Sequence, residues 1–322
     1  METIDPMTSL HVRGALLDDT QAISSLYRAH ISVWQRMNPA GQVQDIPYES
    51  LTIYERWLHG GPWMSVETAA IHLSHLLCGA GIPLVVEADG QILAYAEAYH
   101  GVEPEPFGDH LHLAHLVVHP QHAQDGLQDI LLTDLLDQAR ISRCTRLTAN
   151  CIANDSESRE LYARHGMVPR ARVKRFNLPA KSGQGFYKVI EHVTESAQQI
   201  NNWFMPVGRL GSARQQWESL WPRTWFAVPE LRERRAYRLH FSAAGQEALI
   251  YCQQQLYVPR GAEIYLWSPK PLTTQLLTAL RDWSHREGFR SLVMPMTEET
   301  ANVMGSDAEP DGYFEDVYSV GV

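Results

Sequence analysis

The feature that most constrains this chain is a recurrence. Leu131 and Leu276, Leu135 and Leu280, Asp137 and Asp282, and Leu147 and Leu292 each stand 145 residues apart. At both places a helical pattern leads into a short β-rich run. In the first, Leu127, Ile130, Leu131, Leu135 and Ala139 precede a strand at 145–150. In the second, Leu272, Leu276, Ala279, Leu280 and Trp283 precede a strand at 291–294. A repeat of this length is a whole domain rather than a solenoid unit. The 322 residues therefore read as two copies, 1–179 and 186–322, joined by a Gly- and Ser-containing linker at 179–185.

The first copy reads as alternating elements. A strand at 10–13 precedes a helix that Asp18 and Asp19 can cap, carrying Ala22, Ile23, Leu26 and Tyr27. Residues 31–63 are rich in Pro and Gly and read mostly as loop. A helix is predicted at 67–77. Two β-rich runs around Asp89-Gly90 form a hairpin. A strand from His110, the helix after Gly126, the strand at 145–150, a helix at 156–165 and a strand at 171–178 follow. The second copy shows strands at 237–241, 247–253 and 262–267. The tryptophans at 203, 217, 221 and 225 read as core of that copy.

The segment from Leu116 carries the chemistry. The strand Leu116-Val117-Val118 ends at His119-Pro120, a polar loop runs to Gly126, and a helix opens at Leu127. Such a helix presents unpaired amides and the positive end of its dipole, which favours an anion. Gly126 permits close backbone approach. Downstream come Asn154, Leu161-Tyr162 and Gly166. In this pattern the segment resembles the GNAT family, the GCN5-related N-acetyltransferases. Val118, Pro120 and Gly126 match the family's phosphate loop. Ala123 stands where the family has Arg or Gln, and Gln128 where it has a second small residue. Asn154 falls one position early, because Asp155 occupies the aligned place.

The resemblance implies an α/β fold: two tandem GNAT-like domains, each a mixed, mostly antiparallel sheet flanked by helices. It implies acetyl transfer from acetyl-CoA to a primary amine of a small molecule. The diphosphate would meet the backbone of Gln124, Gly126, Leu127 and Gln128, with Asn154 nearby, and the pantetheine arm would pair with Leu116, Val117 and Val118. Tyr162 would protonate the leaving thiolate. His112 or His110 would serve as base, His112 being preferred. A non-catalytic GNAT-like protein that binds a ligand or partner is the alternative. In the second copy the loop shrinks to Lys270-Pro271 without Gly. The expectation there is a structural or substrate-shaping domain.

Other groups have blander readings. Glu97, Glu103, Glu105 and Asp109 border the acceptor side in the family, but by composition they read as a solvated acidic stretch. His110-x-His112 with Asp109 lacks an evident further ligand, so no metal is expected. The cysteines at 78, 144, 151 and 252 form no C-x-x-C pair and read as buried, reduced thiols. The net charge of −10 disfavours nucleic acid and anionic membrane partners. Without a signal-peptide pattern in the first residues or a long apolar run, a cytoplasmic location is expected.

Overall fold

The computed structural model describes residues 10–38, 41–183 and 185–322. The reading of the N-terminal residues as free of a signal peptide lies outside them. The chain begins with β1 (His11–Gly14), α1 (Thr20–Arg28), a small hairpin of β2 (Gln35–Met37) and β3 (Val43–Asp45), α2 (Ile53–Trp57) and α3 (Val66–His75). Then come β4 (Ile82–Ala88), β5 (Gln91–Val102), β6 (Asp109–Val118), α4 (Leu127–Ile141), β7 (Arg146–Ile152), α5 (Ser156–Arg164) and β8 (Val168–Pro179). The remainder is β9 (Tyr187–Glu191), β10 (Phe204–Val207), α6 (Ala213–Leu220), α7 (Pro229–Glu233), β11 (Ala236–Ala243), β12 (Gln246–Gln254) and β13 (Gly261–Ser268). It closes with α8 (Thr274–Arg286), β14 (Ser291–Thr297), α9 (Glu298–Ala301) and β15 (Glu309–Gly321).

The two sequence copies repeat one element order. The run β1, β4, β5, β6, α4, β7, α5, β8 is matched by β9, β11, β12, β13, α8, β14, α9, β15. Both copies are α/β, and their sheets are mostly antiparallel. The region 31–63 is more structured than its composition suggests, because β2, β3 and α2 lie within it. There Thr52 and Glu55 form a reciprocal cap on α2, with Glu55 N 3.2 Å from Thr52 Oγ1 and Thr52 N 2.7 Å from Glu55 Oε2.

Packing divides the chain differently from the copies. One compact unit holds the chain up to Tyr99, Leu113–Ile141 and Arg223–Glu233; the other holds His100–His112, Ser142–Pro222 and Arg234–Val322. In the first, β1 pairs antiparallel with β4, and β4 with β5. Helix α1 buries Ile23 and Leu26, and α3 buries Ala69, His72 and Leu73, against Val85, Tyr95 and Tyr99 of the sheet. Burying a Leu- or Ile-sized side chain contributes roughly 1.5–3 kcal/mol each. Asp19 occupies the N-cap position of α1, but its carboxylate turns away. It accepts from Leu16 N at 2.7 Å and pairs with Arg13 at 2.6 Å.

The second unit contains the strand order β7-β15-β8-β14-β13-β12-β11-β9. Here the last strand of each copy lies beside the other copy's penultimate strand: β15 pairs with β7, and β8 pairs with β14. That exchange is why the packing units cut across 1–179 and 186–322. The linker is held in place too. Ala180 N donates to Arg290 O at 3.0 Å, and Gly183 N to Asp282 Oδ1 at 2.8 Å. Gln184 within it is outside the described residues. Trp217 and Trp221 stack at 4.2 Å and meet Trp267 edge-on, as the core reading expects. Trp225 departs from that reading: it belongs to the first unit, against Trp57 at 4.4 Å and His72 at 6.0 Å.

Candidate active site

The first unit holds the anion-binding pattern. Strand β6 ends at Val118, whose carbonyl lies 2.8 Å from His30 Nε2. Pro120–His122 then form one turn of 3-10 helix, with His122 N donating to His119 O at 2.8 Å. Gly126 has φ +72°, and no described heavy atom lies within 4 Å of where its Cβ would stand. A side chain there would be strained, and the backbone is open to an approaching group. Helix α4 starts at once, anchored by buried Leu127, Leu131, Leu132 and Leu135. Gln124 is exposed and Gln128 half-buried, while Leu116 and Val117 are partly open and Val118 is buried. Two imidazoles, His119 and His122, stand on the loop with ring centroids 5.9 Å apart. His122 is paired with Asp125 at 2.8 Å.

The same unit buries a charged cluster that composition hid. Tyr95, Glu97 and Tyr99 alternate on β5 and so share a face. Glu97 is 1% exposed. Its carboxylate accepts from Tyr95 Oη at 3.0 Å and Tyr99 Oη at 2.5 Å, and lies 3.0 Å from His72 Nε2. Helix α3 delivers His72 because Ser65 caps it, accepting from Thr68 N at 3.2 Å, and the buried face at 68, 69, 72 and 73 follows helical spacing. Burial alone would raise the Glu97 pKa. The attraction of His72 and His115, with the hydrogen bonds from His72 and Tyr99, outweighs it and holds the group at about 2. The carboxylate is therefore a fixed anion.

His115, on β6 immediately before Leu116, is open to solvent, yet the dense protein around it disfavours its charged form. That desolvation lowers its pKa below the ordinary imidazole value, against the opposing pull of Glu97. Tyr27 packs edge-on to His115 at 6.3 Å and stacks on Trp63 at 5.5 Å. Burial first, then the nearby Glu97 charge, push the Tyr27 and Tyr95 phenols well above their usual range, so both stay neutral. Glu97 is thus an enclosed anion satisfied by three neighbours, and His115 is the member of the group that reaches solvent.

The remaining sequence candidates lie in the second unit. His112 is 2% exposed, with Nδ1 3.0 Å from Thr148 Oγ1. His110 is fully buried, with Nδ1 3.0 Å from Gly108 O. Tyr162 is 6% exposed; its hydroxyl donates to Asn150 O at 3.4 Å, and burial raises its pKa. Asn154 sits exposed in the turn before α5, and Asp155 does the capping, accepting from Ser158 N at 2.9 Å. The one-residue offset from the family pattern thus has a local cause.

Two blander readings need correction. Glu97 and Glu103 are not solvated. Glu103 is 5% exposed, ion-paired with Arg209, and accepts from Ala213 N, the first residue of α6, at 3.0 Å. Nor is every cysteine buried: Cys78 is exposed, on the turn that ends α3. In sequence, Glu97 was visible but its partner was not, because His72 lies 25 residues away. The usable signal was a carboxylate alternating with two tyrosines inside an otherwise apolar strand.

The second copy has no equivalent loop. Helix α8 is capped by its own Thr273, whose hydroxyl accepts from Leu276 N at 3.3 Å. Strands β13 and β14 pair only at Gly261–Glu263 with Ser291–Val293. Further along, β10 takes the place beside β13, pairing Phe204 with Ser268 and Val207 with Leu266. Gly208 N then donates to Pro295 O of β14 at 2.7 Å. Gly208 has φ +91°, and a Cβ there would lie 2.5 Å from Tyr265 Cδ1. Only glycine allows this segment to lie so close.

The family model described as "Acetyltransferase (GNAT) family" matches residues 46–167, the segment that contains the loop, Glu97 and Tyr162. The chain therefore carries a GNAT-family domain. Among solved structures, a GCN5-related N-acetyltransferase from Kribbella flavida aligns with 97% of this chain and 71% of its own, at 10% identity and TM-score 0.56. A Pyrococcus horikoshii protein described as a candidate acetyltransferase aligns over 100% and 92%, at 12% identity and TM-score 0.51. A tandem GNAT protein from the clavulanic acid biosynthesis pathway aligns over 97% and 98%, at 13% identity and TM-score 0.49. At such identities the first two bear on the fold alone. No curated protein sequence matches the chain. Among the described residues no helix is long and apolar enough to cross a membrane.

Proposed function

We propose that this protein is an acyl-CoA-dependent N-acyltransferase that moves an acetyl group from acetyl-CoA to a primary amine. In this reading the first copy, 1–179, carries the acyl-CoA site, and 186–322 is structural or shapes the acceptor site. The observation that carries it is a pairing within one compact unit. An open glycine loop leads into α4, and a buried Glu97 anion lies beside His72 and His115.

The residues fit the donor. The amides of Gln124, Gly126, Leu127 and Gln128 would hold its diphosphate, with Asn154 assigned by motif; the Asp125 amide is already bonded to His122 O. The imidazoles of His119 and His122 stand on the same loop, where Ala123 offers no side-chain donor. Leu116, Val117 and Val118 would pair with the pantetheine arm. Acetyl-CoA supplies an activated thioester, whose C–S bond breaks as the amine nitrogen bonds to the carbonyl carbon. Glu97 draws in the ammonium form of the acceptor, and a neutral histidine takes its proton. His115 joins His112 as a candidate for that base. His115 faces solvent and His112 is enclosed, so we favour His115. Tyr162, kept neutral by burial, is the proposed proton donor to the leaving thiolate. Most of the rate comes from holding both substrates together.

The experiment is acetyl transfer to a panel of primary amines, followed by product mass and thiol release. An acetylated product that depends on His115 supports the reading. One observation favours a non-catalytic alternative: Asp125 places a negative charge within the loop, against His122. Acetyl-CoA binding without turnover on any amine would select it.

A further inference from the structure

Outside the groups proposed above, three metal-type donors meet at one end of the second unit's strands. His100 on β5, Asp109 at the start of β6 and Cys144 just before β7 offer ligand atoms that all lie within 4.8 Å of one another. His100 Nε2 is 2.7 Å from Asp109 Oδ1. The side chains of His100 and Asp109 are 44% and 39% exposed, while Cys144 is 5% exposed. The thiol forms a floor, and the imidazole and carboxylate form a rim open to water.

The backbone around them is pinned. Thr145 donates twice to the Asp109 carbonyl, from N at 2.8 Å and from Oγ1 at 2.7 Å. Glu103 N donates to Gly108 O at 3.0 Å and closes the hairpin between His100 and Asp109. His100 and Asp109 are thus held on strands, and Cys144 adjoins Thr145, which is fixed to the Asp109 carbonyl, as a metal site requires.

We propose that His100, Asp109 and Cys144 form a binding site for a zinc-class divalent cation, with water as the fourth ligand. The donor set decides the class. A thiolate with an imidazole selects borderline-soft ions, whereas magnesium and calcium require oxygen donors. Tetrahedral zinc takes sulfur at about 2.3 Å and nitrogen or oxygen at about 2.0–2.2 Å, which sets its ligand atoms roughly 3.3–3.8 Å apart. In the structure His100 Nε2 and Asp109 Oδ1 are 2.7 Å apart and all three ligand atoms lie within 4.8 Å, so an ion would part the imidazole and carboxylate slightly and draw both toward the thiol. The bound ion would tie the segment after α4 to the β5–β6 hairpin. Sequence spacing conceals the site, because Cys144 is distant in the chain from the other two.

The test uses the full chain, stripped of metal with a chelator. Titration with cobalt(II) should give one equivalent, tetrahedral d–d bands and a thiolate-to-metal charge-transfer band. Cys144→Ser should remove the charge-transfer band, whereas Cys78→Ser, at the exposed cysteine, should leave it intact. His100→Ala, at a half-exposed position that leaves the core untouched, should weaken zinc binding at least tenfold by calorimetry. X-ray absorption of the zinc form should show one sulfur at about 2.3 Å. Absence of a thiolate band in the wild-type protein, or a band that survives Cys144→Ser, would overturn the proposal.

Discussion

Glu97→Gln is the perturbation whose consequence can be worked furthest from the geometry. The carboxylate is 1% exposed and holds three close partners, His72, Tyr95 and Tyr99. Its pKa falls from 4.5 to about 2. At about 1.4 kcal/mol per pH unit, that difference corresponds to roughly 3 kcal/mol of stability. A folded-state pKa below the unfolded value means the stabilisation is complete above 4.5 and is lost as pH falls toward 2. Glutamine keeps the shape and one acceptor but no charge, and leaves His72 facing an amide. The variant should therefore be about 3 kcal/mol less stable at neutral pH, within the range for breaking a buried pair. The gap should narrow to less than half of that near about pH 3. Urea denaturation of both proteins across this window measures it, and taking the difference cancels the other carboxylates. A variant that loses less than about 1 kcal/mol, or a gap that does not change with pH, would refute the argument that Glu97 is a fixed anion.

Other expectations concern the chemistry. His115→Ala should lower kcat/KM, and the wild-type rate should fall on an acid limb below the ordinary imidazole value, because desolvation lowers the His115 pKa; recovery of the variant at high pH, where the amine is free without help, checks the role. If His112→Ala shows that rescue and His115→Ala does not, the base assignment moves to His112. Tyr162→Phe should lower kcat with little change in acetyl-CoA affinity, since the ring still packs against Tyr318 and only the phenolic proton is lost. Ala123→Arg should tighten acetyl-CoA binding by about tenfold or more, as a charge-assisted hydrogen bond contributes ~1.5–3 kcal/mol.

The local elements were largely legible, because periodicity and turn residues encode them directly. The Asp89-Gly90 turn gave the hairpin, and the leucines after Gly126 gave α4. The 145-residue offset announced the repeat. What sequence could not show is pairing over long separations. The exchange of β8 and β15 depends on ladders between residues far apart, such as Glu315 with Ile152. The Glu97–His72 contact is likewise invisible to local pattern. So is the entry of β10 beside β13, since Phe204–Val207 carries no motif and only Gly208 marks the close approach. The acidic residues misled for the same reason. Composition places Glu103 on the surface, and only its partners Arg209 and Ala213 explain its burial.

The central claim is one acyl-CoA site, in the first copy only. Calorimetry of the full chain with acetyl-CoA tests it most directly. The account predicts one molecule bound per chain and unchanged affinity in Lys270→Ala. It also predicts loss of binding in Gly126→Glu, where a side chain at φ +72° would be strained and would repel the diphosphate. No binding at millimolar ligand, or two molecules per chain, would contradict it.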